Sequence, residues 1–498
     1  MITLKQLLLG TLFLAGNVFV MAQERVATEI ISDKVKGTFH QFVEEKEGSV
    51  YAIMVKGKNY FLRKFDSETL EIQDEWEVGK FKYEGQKTEF KTAVVSKEGF
   101  HLIYEAYNPV RRKIYFLEKF VSRAGEARPN REVASVDNIT ENYKVKFLVS
   151  EDKSRFSIVT PPGKNVAPKA FVFDDQLNLQ WEQSYGNPFK DGNFTITQTE
   201  LSNDGDVLVV GYRDDGRFKE YEIKTSTKYG VLRIDKEKNM MVYDLSHLNK
   251  TFHGLSVKPD LTEGFVLTGF YADDEDGYPY GLYYSQLSKN TFKPTIERLQ
   301  SGKSANSNDL DQSFDILHAA MGGRMKEGFA SFRCKDFTKF ENGNIAVVAE
   351  RDYVNSLPGA YRNRFVGEIV VFSFNPKGQL LWVKSIPKKQ TDNNMGTVSY
   401  VFHMENNEVF LLYNDDVRNA QSINEGMGNQ YSNFGRKFGL IGAKIDADGN
   451  MTLESIQNSD GKYFYVKTAS AYSSASQGLF AVRVKYAVDG VRLSRFKF

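Results

Sequence analysis

The chain of 498 residues has a single cysteine, Cys334, so no internal disulfide can staple it. Its stability has to come from core burial, which a chain this long can supply. Charge of one sign is also lacking. The 65 Lys and Arg residues against 64 Asp and Glu leave a net +1 at pH 7, which removes any bulk electrostatic argument for nucleic acid or an anionic membrane surface. Beyond the N-terminal segment no apolar run reaches the length of a membrane-spanning helix. The six histidines (His40, His101, His247, His253, His318 and His403) form no HExxH or other close pair, so no zinc site has local support. A GxSxG elbow and a phosphate-binding P-loop are both absent, and no other catalytic motif stands out.

The N-terminal segment has the plan of a secretory signal. Lys5 precedes the mostly apolar run Leu7 to Val20, and Val20-Met21-Ala22 has the small-residue pattern of a cleavage site. The expectation is a signal peptide over 1–22 and an exported chain over 23–498 that is periplasmic, outer-membrane-associated or secreted. The run is short for a retained anchor. Cys334 lies too far from it for lipid attachment.

A recurring phrase dominates the rest. An apolar residue is followed by Asp, Asn or Ser and then a polar turn, at Phe65-Asp66, Phe173-Asp174, Ile234-Asp235, Leu287-Ser288, Phe374-Asn375 and Ile445-Asp446, with a degenerate copy at Phe120-Val121-Ser122. Around each phrase, short β-branched and aromatic runs alternate with Gly, Asp and Asn, which is the strand signal. The first unit reads as strands over Phe39–Val43, Val50–Val55, Tyr60–Phe65 and Ile72–Val78. Four antiparallel strands repeated every 50–60 residues or so describe a β-propeller blade. Units start near residues 37, 87, 140, 194, 252, 330, 396 and 463. The last has only three strands, at Tyr463–Ala469, Leu479–Tyr486 and Val491–Phe498, while Val26–Ser32 is strand-like and lacks a partner. The spacing therefore predicts an all-β fold: one propeller of about eight four-stranded blades, with seven the alternative count, closed by the N-terminal strand.

Strand alternation places the first-to-second and third-to-fourth turns on one face. The second-to-third loops and the links between blades fall on the other. The long segments Pro161–Lys169, Asp214–Tyr229, Ala272–Gly281, Asp352–Gly367, Asp415–Gly439 and Gln300–Phe329 all belong to the second face, where binding is expected. In the last of them Leu310, Phe314, Leu317 and Met321 have helical spacing, predicting a helical insertion over about 308–323 that packs on the ring. Where second strands enter their loops, the pattern Tyr-x-Asp-Asp recurs at Tyr212/Asp214/Asp215, Tyr271/Asp273/Asp274 and Tyr413/Asp415/Asp416, with a looser copy at Asp352. Carboxylates in successive sectors suit Ca²⁺, or the Lys and Arg of a partner. Equally, Asp after a strand accepts hydrogen bonds from turn N–H groups.

The blade running from Ile196 through Asn203-Asp-Gly-Asp and Gly211-Tyr212 to Gly230–Asp235 resembles units of secreted bacterial propeller repeat proteins. The segments Leu179–Gly186 and Gly378–Ile386 are similar to the closing part of those units. The signal ending in Ala-Gln looks like that of exported Bacteroidetes proteins. This resemblance implies a fold and a compartment but no catalytic residue. Sialidase-type Asp boxes are lacking, and with the repeats taking up 23–498 no hydrolase domain is expected within this sequence. The expected function is a non-enzymatic binding or scaffold ring of the cell envelope that holds a protein partner on its long-loop face, without nucleic acid and without a cofactor other than Ca²⁺. The alternative is a carbohydrate-binding or carbohydrate-active propeller using acidic and aromatic loop residues such as Asp214, Asp273, Tyr278, Asp352 and Asp415.

Overall fold

The computed structural model describes residues 28–31, 38–137, 143–162, 166–188, 193–214, 229–259, 261, 264–273, 279–301, 331–355, 363–391, 398–427, 438–456, 465–474, 478–484 and 492–498. Their strands form eight antiparallel sheets of four strands, the blades of a β-propeller, with a short fifth strand, Gln390–Thr391, added to blade 6 and a separate two-stranded ribbon at Lys82–Tyr83 and Gln86–Lys87. Blade 1 runs Thr38–Lys46, Ser49–Lys56, Asn59–Asp66 and Ile72–Glu77, close to the boundaries read from the sequence. Blades 2 to 7 begin at Glu89, Lys146, Asn193, Thr251, Phe332 and Tyr400. Blade 8 joins Tyr465–Ser474, Gly478–Val484 and Arg492–Lys497 to the N-terminal strand Thr28–Ile31. That strand pairs antiparallel from Thr28 opposite Lys497 to Ile31 opposite Ser494. The first strands of blades 8 and 1 pack side by side, as those of blades 5 and 6 and of blades 7 and 8 do, and an apolar cluster fills the seam between blades 8 and 1, so the ring is closed with eight blades.

Side-chain alternation in the central strands explains why they are apolar at nearly every position. In blade 4, Val207 and Val209 face blade 3, while Leu208 and Val210 face blade 5. The core is accordingly not one mass. It consists of eight clusters, one in each seam between blades. Tyr51 and Leu62 meet Phe100 and Tyr104 between blades 1 and 2. Val348 and Ile369 meet Leu411 and Ile441 between blades 6 and 7. The closing seam sets Phe480 and Leu493 of blade 8 against Phe39 and Phe65 of blade 1.

The recurring phrase is a turn device in all seven copies. Asp66 Oδ1 accepts the N–H groups of Glu68 and Thr69 at 2.9 and 2.8 Å. Asp174, Asp235, Asn375 and Asp446 accept from the turn in the same manner. Ser122 Oγ and Ser288 Oγ do so with a hydroxyl. Each turn also needs a left-handed residue. Glycine fills it at Gly125, Gly378 and Gly449, but Leu70, Leu177, Lys238 and Phe292 fill it elsewhere. Leu70, Leu177 and Phe292 are buried, so packing offsets the backbone cost that glycine would have avoided. Glycine has a second cause at Gly449, where an added Cβ would lie 2.7 Å from Trp382 of blade 6.

Two expectations about the loops change. Asp352–Gly367 is not a long loop, because the second and third strands of blade 6 extend to Ile345–Asn355 and Asn363–Phe374, pairing Asp352 with Val366 and Tyr353 with Phe365. Asp415–Gly439 opens with two further paired residues and a short helix, Arg418–Asn424. The helical insertion expected over 308–323 lies outside the described residues.

If the seams carry the stability, Phe65→Ala should cost about 3–5 kcal/mol, as a buried aromatic truncation does. Asp66→Ala, which removes turn hydrogen bonds at the surface, should cost only about 0.5–1.5 kcal/mol. Urea unfolding followed by far-UV circular dichroism separates the two, and equal losses would contradict this division.

Candidate functional site at the loop ends of blades 6 and 7

The tyrosines of the Tyr-x-Asp-Asp pattern are core residues. Tyr212 and Tyr271 are buried in the seam between blades 4 and 5, and Tyr413 in the seam between blades 6 and 7. Asp214 pairs with Asn193 through its backbone, while Asp215, Asp274 and Tyr278 lie outside the described residues. Asp273 is exposed and accepts from Lys250 Nζ at 2.6 Å. Asp352, Asp415 and Asp416 are buried at paired strand ends. The structure brings these last three into one network, together with residues that have no sequence motif.

The network begins at Asp352, whose two oxygens accept from Arg364 Nε at 2.8 Å and Nη2 at 2.5 Å. Two residues earlier on the same strand, Glu350 is wholly buried. It meets Lys335, accepts from Ser399 Oγ at 2.5 Å, and lies 2.7 Å from Lys388 Nζ, which is also wholly buried. Lys388 donates to Gln390 Oε1 at 2.9 Å, and Gln390 Nε2 donates to the Asn414 carbonyl at 2.6 Å, crossing into blade 7. There the Asn414 side chain exchanges two hydrogen bonds with the Val466 backbone of blade 8, at 2.8 and 3.0 Å. Asp415 follows, fully buried, and its Oδ1 accepts from the Asp416 N–H at 2.7 Å. Asp416 then receives Arg418 Nε and Nη2 at 2.9 and 2.7 Å. Tyr400 donates to Asp336 at 2.6 Å on the flank of this chain.

Burial and partners act on these groups in opposite directions. Burial works against the Asp352 carboxylate, but Arg364, with Lys335 and Arg333 near it, holds it below its usual range. Burial lowers Lys388, with Glu350 opposing it, and raises Asp336. It raises Asp415 most visibly, to about 7, although the Asp416 N–H, Asn419 and Lys388 pull it down. Among the described residues no three His, Cys, Asp or Glu converge as a metal ion would require.

A second constellation is legible only in three dimensions. In blade 2, His101 Nδ1 is 2.5 Å from Glu118 Oε1 and its Nε2 is 3.0 Å from Ser96 Oγ, an order of groups used in acyl transfer. All three residues are buried. The Ser96 oxygen also accepts the Gly99 N–H at 3.3 Å, Phe120 covers the imidazole, and Arg131 meets Glu118 from outside. These contacts make it a tie across the blade rather than a nucleophile facing substrate. His403, set between Ser473 Oγ at 2.7 Å and Glu405 at 3.1 Å, ties blade 7 to blade 8 in a related way.

No family model and no curated protein matches this chain. Among solved structures, it is similar to an uncharacterized protein of Listeria monocytogenes (12% identity, 87% of this chain and 99% of that one, TM-score 0.36). It is also similar to the Dos1 propeller (10%, 94% of both chains, 0.43) and to the β-propeller domain of the Trilobed protease from Pyrococcus furiosus (9%, 82% and 94%, 0.37). It spans half of the Pyrococcus horikoshii acylaminoacyl peptidase chain. No helix among the described residues is long and apolar enough to cross a membrane. Likenesses this distant carry no activity or ligand across to this chain, which stands as an eight-bladed β-propeller.

The network makes two testable statements. Folded Asp415 keeps its proton up to about 7, against 3.8 for an ordinary Asp. Between those values the folded state holds the extra proton, so the Asp415 contribution to stability falls as pH rises, by at most about 1.4 kcal/mol per pH unit. Asp415→Asn should flatten the stability profile in that window, measured as the difference from wild type in urea midpoints; an unchanged profile would refute it. Separately, Lys388→Met leaves wholly buried Glu350 with one of its two lysines and should cost up to about 3–5 kcal/mol, and Glu350→Gln added to it should recover part of that loss. Strictly additive losses in the double-mutant cycle would show that the two do not act as a pair.

Proposed function

We propose that the chain is a non-catalytic binding ring of the cell envelope whose loop face holds a protein partner. The observation that carries this reading is the lopsided distribution of chain between strands. The second-to-third connection is only 57–58 in blade 1 and 109–112 in blade 2, but 215–228 in blade 4 and 417–437 in blade 7. On the opposite face the turns are short and tied by their own Asp, Asn and Ser side chains. A rigid ring with one elaborated face is a platform for recognition. Two of the carboxylates that a glycosidase would aim at substrate are instead paired with the chain's own cations, Asp352 with Arg364 and Asp273 with Lys250, which favours binding over hydrolysis. Envelope placement follows from the signal-like N-terminal segment.

A photo-crosslinking side chain installed at Met427, exposed on the loop face, should capture a discrete protein adduct in envelope extracts. The same group at Lys236, exposed in a turn on the other face, should not. Adducts from Lys236 alone, or from neither position, would overturn the proposal.

A further inference from the structure

The sequence suggests an acidic loop face, but the side chains are arranged the other way round. At the loop ends of blades 6 and 7, three carboxylates lie beneath the cations that they pair with. Asp352 is 8% exposed and its partner Arg364 44%. Asp416 is 0% and Arg418 41% exposed, and Glu350 is 0% and Lys335 27%. Arg333 is exposed beside the same carboxylate that Arg364 grips. Both arginines are held alike, through Nε and Nη2 on a buried Asp, so the heads are oriented before any partner arrives. In blade 6, on the strands that carry Asp352 and Arg364, Arg351 lies over the Tyr353 ring at 5.3 Å, and Tyr353 stacks on Phe365 at 5.4 Å. Arginine beside a packed aromatic pair is the composition of a protein-contact surface.

We propose that the loop ends of blades 6 and 7 bind an acidic polypeptide segment, with Arg333, Arg364 and Arg418 receiving its carboxylates. The inference rests on the binding-ring reading above and supplies the chemistry of the partner. The cationic surface is local and the whole chain is nearly neutral, with a net charge of +1. That suits a short acidic stretch better than a long polyanion such as nucleic acid, whose binding needs an extended basic track. The buried carboxylates set the geometry, and the desolvated base beneath the arginines reduces the reorganisation needed on binding.

The test uses the full chain and a fluorescein-labelled deca-glutamate peptide, read by anisotropy, with deca-lysine and a single-stranded oligonucleotide as comparators. Deca-glutamate should bind, deca-lysine should not, and the oligonucleotide should bind more weakly. Raising salt to about 0.3 M should weaken binding about tenfold or more. Arg333→Gln should weaken it severalfold, and Arg364→Lys, which keeps a charge over Asp352 but loses the fork, should do likewise. Lys236→Gln, on the far face, should leave it unchanged. No binding of deca-glutamate, tighter binding of the oligonucleotide, or indifference to Arg333→Gln in a folded variant would overturn the inference. A loop-face protein adduct at Met427 together with no deca-glutamate binding would sink the acidic partner and leave the binding ring. Loss of the Met427 adduct would sink the ring reading, whatever the peptide does.

Discussion

A sheet that is apolar on both faces is stable only between two others, and this constraint governs the molecule. Each central strand sends alternate side chains into two different seams, as Val207 to Val210 do, so no blade has a core of its own. The arrangement is complete only when the last seam, with Phe480 and Leu493 against Phe39 and Phe65, is also filled. Pairing of Thr28–Ile31 with Arg492–Lys497 joins the two regions of the chain most distant in sequence and covers the edge that blade 8 would otherwise leave. The fold therefore depends on long-range contacts, with the local turns holding the strands in register.

Charge is placed within this frame according to desolvation. Glu350 and Lys388 are both removed from water, a cost that only mutual attraction and further hydrogen bonds offset, and Lys335, Ser399 and Gln390 supply those bonds. The chain of contacts runs from Glu350 through Lys388, Gln390 and Asn414 to the Val466 backbone of blade 8. It thus ties three blades together on the loop side, where the seams give way to polar residues. The same layering leaves arginines outermost. A structural ion pair that is buried on its acidic side presents a cationic surface, and that links the stability of this region to the kind of partner it suits.

Much of the architecture is legible in the residue order because its signals are local. The phrase at Asp66, Asp174 and Asp446 is a turn that caps itself within four residues, and strand alternation needs only a short window. The site was harder to read. Tyr-x-Asp-Asp marks strand ends correctly, yet the direction of each side chain depends on the opposite strand, as Val366 does for Asp352. The Arg418–Asn424 helix has Val417 at its N-cap, and the side chain that accepts its first N–H, Asp416 at 3.1 Å, stands one residue too early for a standard cap, so the sequence does not announce it. Glu350 and Lys388, or Ser96, His101 and Glu118, meet through the fold, without any motif spacing.

Repetition of the chain, four strands to a repeat and longer connections on one face are all written in the residue order, because period, turn chemistry and loop length are properties of consecutive residues. Which charges face water is set by the folded ring. Whether Asp416 or Arg418 lies outermost depends on the depth of each strand end within the ring, and burial sets that depth through neighbours that are remote in the chain.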